Sequence, residues 1–214
     1  MRTRLWPLFD LVVRTPRLEL RYPDDELAAE LAELTAQPIH DPATMPFSEP
    51  WTDGPVEHRP RGSLQFLWLH RAQWSPDEWS CPMTVLLDGK VVGVQDIKAK
   101  QFRVVKTFET GSWLTQRVQG GGIGKEMRAA ILHLGFEGLG AERANTSAFH
   151  DNEPSLGVTR GLGYEPNGDS IEMRRDTADR QLHFAMTRGQ WLTRRRDDIE
   201  IEGLEPCLDL FGLA

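Results

Sequence analysis

The sequence predicts a mixed α/β (α+β) fold built on one central, mostly antiparallel sheet of about six to seven strands flanked by helices. Three observations carry that expectation. Stretches alternating apolar and polar residues occur near the start, middle and end of the chain; an Asp88-Gly89 pair joins two apolar runs as a tight hairpin turn would; and the intervening segments place apolar residues three and four apart. With no repeat, linker or low-complexity tract, residues 1–214 read as one domain, with a core over about 12–192 and a C-terminal extension at 197–214.

Taken in order, VVRTPRLELRY (12–22) alternates Leu18 and Leu20 with Arg17, Glu19 and Arg21, the pattern of one half-buried strand. DDELAAELAELTA follows, with Asp24 or Asp25 as cap and Leu27, Leu31 and Leu34 on one helical face. Residues 40–55 are too rich in proline to be regular, and a second helix is expected over about 57–75. Three antiparallel strands fill 83–116, and a helix after the glycines carries Ile123, Met127, Ile131 and Leu134 as its apolar stripe and stops near Gly138/Gly140. A strand over 142–149 precedes a helix that Asn152 can cap, with Pro154 in its first turn. Strands at 170–176 and 180–187 and a terminal helix around GQWLTRR complete the order.

The bulk composition narrows the function classes. The chain has 214 residues, 39% of them hydrophobic, and no run reaches the roughly 18 apolar residues of a membrane span. The start MRTRLWPLFD lacks the apolar centre of a signal peptide, so a cytoplasmic protein is expected. Cys81 and Cys207 stand far apart, and six histidines are scattered without metal-binding spacing, so neither a disulfide framework nor a metal is expected. A net charge of −7 disfavours nucleic acid as a partner, since phosphate neutralisation needs clustered Lys and Arg. The acidic, apolar 197–214 tail could pack on its own subunit or a neighbour's, which leaves a homodimer open.

The densest signal is QRVQGGGIGKEMR (116–128). Glycine costs roughly 0.5–1 kcal/mol per position in ordered backbone, so four within five residues mark unusual angles or a close approach to a ligand. Strand, glycine loop and helix in succession make a crib of N–H groups suited to phosphate. A Walker A loop fails, because Gln119 and Glu126 stand where Gly and Ser/Thr are needed; a dinucleotide fingerprint fails at Lys125 and Met127. What fits is Q-x-x-G-x-G across Gln119, Gly122 and Gly124.

That motif resembles the pyrophosphate loop of the GNAT superfamily of acyl-CoA-dependent N-acyltransferases. The stretch 109–168, with its aromatic strand ending, DNxxS element and GY-xxx-G turn, looks like the ribosomal-protein-alanine acetyltransferase (RimJ/RimL-like) branch, and with RTPRLELRY the resemblance spans about 12–192. It implies a GNAT fold, a sheet splayed at its central strands to admit acyl-CoA, and direct acyl transfer to a primary amine of a protein N-terminus, lysine or small molecule. Acetyl-CoA is the default donor; succinyl-CoA would need a cation near the thioester, and Arg174 and Arg175 lie in the late strands.

Carried over residue by residue, the resemblance gives the pyrophosphate to the N–H groups of Gly120, Gly122, Ile123, Gly124 and Lys125 after Gln119, and the pantetheine arm to Trp113, Leu114 and Asn152. Ser155 takes the position of the residue that hydrogen-bonds the sulfur. Glu109, ten residues before Gln119, is the first candidate base; the branch's other glutamate position holds Asn167, so His150 or Asp151 or a water relay is the fallback. Phe47, Trp51 and Trp68, with Trp74 as a further candidate, are expected to wall an acceptor pocket, because long loops in compact domains are often binding loops. The competing reading is a CoA-binding regulatory or resistance module without turnover, which would have no use for Ser155 with Glu109.

Overall fold

The computed structural model describes residues 2–213. Nine strands form one sheet: β1 (Val12–Arg14), β2 (Leu18–Arg21), β3 (Glu78–Leu87), β4 (Lys90–Lys100), β5 (Thr107–Leu114), β6 (Arg143–Phe149), β7 (Glu165–Arg174), β8 (Thr177–Thr187) and β9 (Glu200–Glu202). Their spatial order is β7-β8-β6-β5-β4-β3-β2-β1-β9, and every neighbouring pair is antiparallel except β5 with β6. The helices are α1 (Arg2–Leu5), α2 (Asp25–Leu34), α3 (Arg59–Gln73), α4 (Phe102–Val105), α5 (Ile123–His133), α6 (Glu153–Leu162) and α7 (Arg188–Leu192). Among the described residues no helix is long and apolar enough to cross a membrane.

Local chemistry accounts for the elements. Asp24 accepts from the Leu27 N–H at 3.0 Å and starts α2. Asp88 and Gly89 both take positive φ, 50° and 72°, the geometry a two-residue hairpin between β3 and β4 requires. The expected stripe on α5 is buried at Ile123, Met127, Ile131 and Leu134, and it joins Phe108, Met83 and Ile97 in the main core. On the other sheet face a smaller cluster of Ala28, Leu31, Leu34, Leu67 and Val91 seats α2 and α3.

Two expectations are corrected and one open alternative is decided. The single strand over 12–22 is two strands: Thr15 N–H donates to Leu18 O at 2.9 Å and Leu18 N–H to the Thr15 hydroxyl at 3.0 Å, turning the chain at Pro16 so that Val13 pairs with Leu20. That division, together with β9, brings the sheet to nine strands rather than six or seven. The C-terminal tail packs on its own chain: β9 pairs with β1, Cys207 and Phe211 are buried in the main core, and the Trp74 indole donates to Leu210 O at 2.8 Å.

Candidate active site

The parallel pair fixes the site. β5 and β6 share only three backbone partners, Thr107 with Arg143, Phe108 with Ala144 and Glu109 with Asn145, although both strands run on for several residues. Beyond that point the pair is bridged by a side chain, the Thr146 hydroxyl donating to Thr110 O at 3.3 Å. The opening leads into a cavity of about 1140 Å³ whose walls include β5 from Glu109 to Leu114, β6 from Asn145 to Ala148, the glycine loop and the start of α6.

The glycine loop closes one end of this cavity. Gly120 and Gly122 have φ of 78° and 80°, left-handed values that favour glycine, and Gly122 is the residue from which α5 springs. The first helical bond within this turn runs from Glu126 N–H to Gly122 O, so the N–H groups of Ile123, Gly124 and Lys125 have no partner inside the helix. Gln119 braces the loop: its side-chain amide donates at 2.8 Å to both Leu114 O and Ile39 O. Arg17 braces it from outside, donating to Gly121 O at 3.1 Å.

The other expected residues divide. Glu109, Trp113, Leu114, Gln119, Gly120, Gly122, Gly124, Lys125, Asn152, Ser155 and Phe47 all line the cavity. Ile123 does not; its side chain is in the core, and only its backbone faces the loop. Asn152 caps α6, its side-chain oxygen accepting from Ser155 N–H at 3.2 Å, while no described side-chain hydrogen bond involves the Ser155 hydroxyl. Trp51 stands behind the lining, with its ring centroid 5.2 Å from Phe47 and 5.7 Å from Trp113. Trp68 is corrected outright: it is 48% exposed on α3 and stays outside the cavity, because only Leu67 of that helix is fully buried against the sheet. Trp74 packs against Trp79 and Phe211, likewise away from it.

The carboxylates differ in setting. Glu109 is largely exposed and lies 3.4 Å from the Lys98 ammonium. His150 and Asp151 are outside the cavity walls and paired, His150 with Asp179 and Asp151 with Arg174. Asp96, which sequence reasoning missed, lines the cavity on β4 directly across from Gly111 of β5. Asp96 is partly buried, and burial pushes its carboxyl up to about 6, against the opposing pull of the Ser80 hydroxyl and Lys98. A side chain added at Gly111 would meet open space, so the room beside Asp96 is unfilled by protein. A second missed residue is Arg128. It is 4% exposed, lies on the sheet-facing side of α5, and donates to Gln95, Thr146 and Ser112. Its sequence signal was a charge four residues after Gly124 and three before Ile131, hence on the apolar face.

Comparison with known proteins agrees with this fold. The family model described as "Acetyltransferase (GNAT) domain" matches residues 17–165. Among solved structures, RimJ from Mycobacterium smegmatis in complex with CoA-disulfide superposes with a TM-score of 0.68 at 20% identity, over 91% of this chain and 97% of that one. RimL, the ribosomal L7/L12 alpha-N-protein acetyltransferase in complex with coenzyme A, gives 0.63 at 18% identity over 82% and 97%. A GNAT-family acetyltransferase from Bacillus anthracis gives 0.64 at 18% identity over 83% and 99%. At these identities the likeness to solved structures is one of fold.

Proposed function

Because the chain belongs to the GNAT acetyltransferase family, we propose that this acetyltransferase binds acyl-CoA in the cleft between β5 and β6 and passes the acyl group directly to a primary amine. The observation that carries the reading is the parting of those strands after Glu109 and Asn145, with an uncapped helix N-terminus at one end of the opening and a carboxylate at the other. In this reading the N–H groups from Gly120 to Lys125 hold the diphosphate, favoured by hydrogen bonding and the α5 dipole. The free edge of β5 at Trp113 and Leu114 pairs with the amide-bearing arm, and Asn152 orders the start of α6 beside it.

Aminolysis of a thioester needs a neutral amine, a stabilised oxyanion and a protonated leaving thiolate. The amine nitrogen forms the new bond to the carbonyl carbon as the carbon–sulfur bond breaks. Of the two carboxylates, Asp96 is the better base, because its value near 6 is poised close to neutrality and Glu109 is already engaged by Lys98. Glu109 then contributes negative charge that draws a cationic amine to the cavity. Ser155 supplies the proton that the departing sulfur takes up and regains one from solvent as Asp96 gives up to solvent the proton it took from the amine. Phe47, backed by Trp51, walls the acceptor side.

Acetyl is the default donor and a ribosomal-protein N-terminus is one acceptor class, by likeness to the relatives above. The test is to titrate acetyl-CoA by calorimetry and then follow thiol release with a panel of peptide and small amines. No heat with acetyl-CoA or CoA sinks the cleft assignment. Heat without thiol release from any amine sinks the transfer.

A further inference from the structure

The proline-rich stretch 40–55 has no helix or strand of its own, yet it is tied together from within. His40 Nε2 lies 2.7 Å from the Thr52 hydroxyl, and that hydroxyl also meets, at 4.0 Å, the sulfur of Met45, which is 2% exposed. A loop closed on its own side chains behaves as one piece, so the bonds at its border decide where all of it stands. Phe47, which lines the cavity, is placed by those bonds.

On the glycine-loop side the border bond is the one from Gln119 to Ile39 O, at 2.8 Å. On the other side the turn between β7 and β8 does the holding. Arg174 Nε donates to Met45 O at 2.7 Å, while its Nη1 is fixed from behind by Asp151 at 2.9 Å and Asp179 at 2.8 Å. Arg175 forks onto Asp53, Nε to Oδ2 at 2.7 Å and Nη2 to Oδ1 at 2.8 Å, and its Nη2 also donates to Pro42 O at 3.1 Å and Thr44 O at 3.4 Å. These two arginines, the sequence candidates for meeting an anionic acyl group, are thereby committed to the loop, and neither lines the cavity.

The backbone of the turn points the same way. Arg175 has a φ of 54°, a left-handed value that a two-residue hairpin turn ordinarily gives to Gly, Asn or Asp. An arginine there accepts backbone strain and in return aims a guanidinium at Asp53.

We propose that Arg174 and Arg175 are positioning residues for the amine: through Met45 O and Asp53 they hold the 40–55 loop, and Phe47 with it, against the acceptor side of the cavity. Acceptor binding then depends on a turn that touches neither substrate. This rests on the reading of Phe47 as the acceptor wall. No step of the transfer passes through either arginine, so the effect belongs in the KM for the amine and not in kcat or acyl-CoA affinity.

The test uses Arg175→Gly, which removes the guanidinium and relaxes the positive φ, so the hairpin itself is not weakened. With acetyl-CoA as donor and the panel amine that releases thiol fastest as acceptor, the amine KM should rise at least about fivefold, with kcat and CoA affinity within about twofold. Backbone N–H exchange across 40–55 should quicken while exchange in β7 and β8 stays as it was. Arg175→Lys keeps the charge without the fork and should fall between the two, and adding Asp53→Ala to Arg175→Gly should cost no more than either change alone. Unchanged exchange in the loop overturns the proposal, as does a fall in kcat and a rise in both KM values that track a lower melting temperature. If Phe47→Ala raises the amine KM and Arg175→Gly does not, the wall stands and the proposal falls; if neither raises it, both fall. Should no amine of the panel release thiol, the transfer reading goes and takes the proposal with it.

Discussion

The Ser80 hydroxyl lies 3.0 and 3.1 Å from the two carboxylate oxygens of Asp96, and no described ion pair includes that carboxylate. A carboxyl held this way, partly buried and facing an empty stretch of cavity across from Gly111, is in the condition a general base needs.

Asp96 therefore sets an acid limb. With a base that ionises at about 6, kcat/KM should rise with pH through that value and level off above it. Asp96→Asn, which still offers Ser80 an acceptor, should cost about 10²–10⁴ in turnover and lose the limb. Stability moves the other way. The folded-state value lies above the ordinary 3.8, so the protonated form favours folding; that contribution is full below about 4 and is lost as pH rises through about 6. The variant should accordingly melt with less pH dependence between those values. A pH–rate profile in which Glu109→Gln, and not Asp96→Asn, removes the limb reassigns the base to Glu109.

Ser155 and Asn152 separate chemistry from architecture. Ser155→Ala should lower turnover by about 10² and leave acyl-CoA affinity within about twofold, as expected for a proton donor acting only on the leaving group. Asn152→Ala removes the α6 cap and should cost about 1 kcal/mol of stability. Steady-state kinetics with calorimetry check the first and thermal melts the second; unchanged turnover in Ser155→Ala takes the serine out of the mechanism.

How much of this was legible beforehand follows from the range of the forces involved. The Asp88-Gly89 hairpin, the α5 stripe and the glycine loop are written in neighbouring residues, so the sequence displays them directly. Asp96 is not, because in VVGVQDIKAK an aspartate on the polar phase of an alternating strand looks solvated; its setting comes from two other strands, Ser80 on β3 bonding the carboxylate and Gly111 on β5 leaving open room beside it. The three-residue β9 is too short to show a period and exists only through its pairing with β1. Trp68 misled for the converse reason: a long loop and a nearby aromatic suggested a pocket wall, but α3 is fully buried only at Leu67 and Trp68 lies outside the cavity.

Gly122 offers a probe of the loop that leaves its surroundings intact. Its φ of 80° is left-handed, and a Cβ there would come no nearer than 3.5 Å to Arg17, an ordinary contact. The penalty of Gly122→Ala is therefore conformational, about 1–2 kcal/mol. If the loop holds a diphosphate, the variant should bind CoA more weakly as well as melt earlier. Earlier melting with undiminished CoA affinity would mean that the loop is only a connection.

Glu126 links the entry hairpin to that loop. Its carboxylate accepts from the Thr15 hydroxyl at 2.6 Å, from Arg17 N–H at 3.2 Å and from Arg17 Nε at 2.6 Å, while the same arginine reaches Gly121 O. Burial alone would raise its pKa, but the Thr15 and Arg17 donors outweigh burial and hold it below the ordinary 4.5. A depressed carboxyl stabilises the fold above its unfolded-state value, and the contribution disappears as pH falls through the lower folded-state value. Glu126→Gln should thus cost about 1–3 kcal/mol near neutrality, with the gap to wild type closing in acid. Because Arg17 would then lose its anchor, CoA affinity should fall in parallel. Melting curves of the two proteins that coincide at pH 7 would show that the carboxylate does not tie the hairpin to the loop.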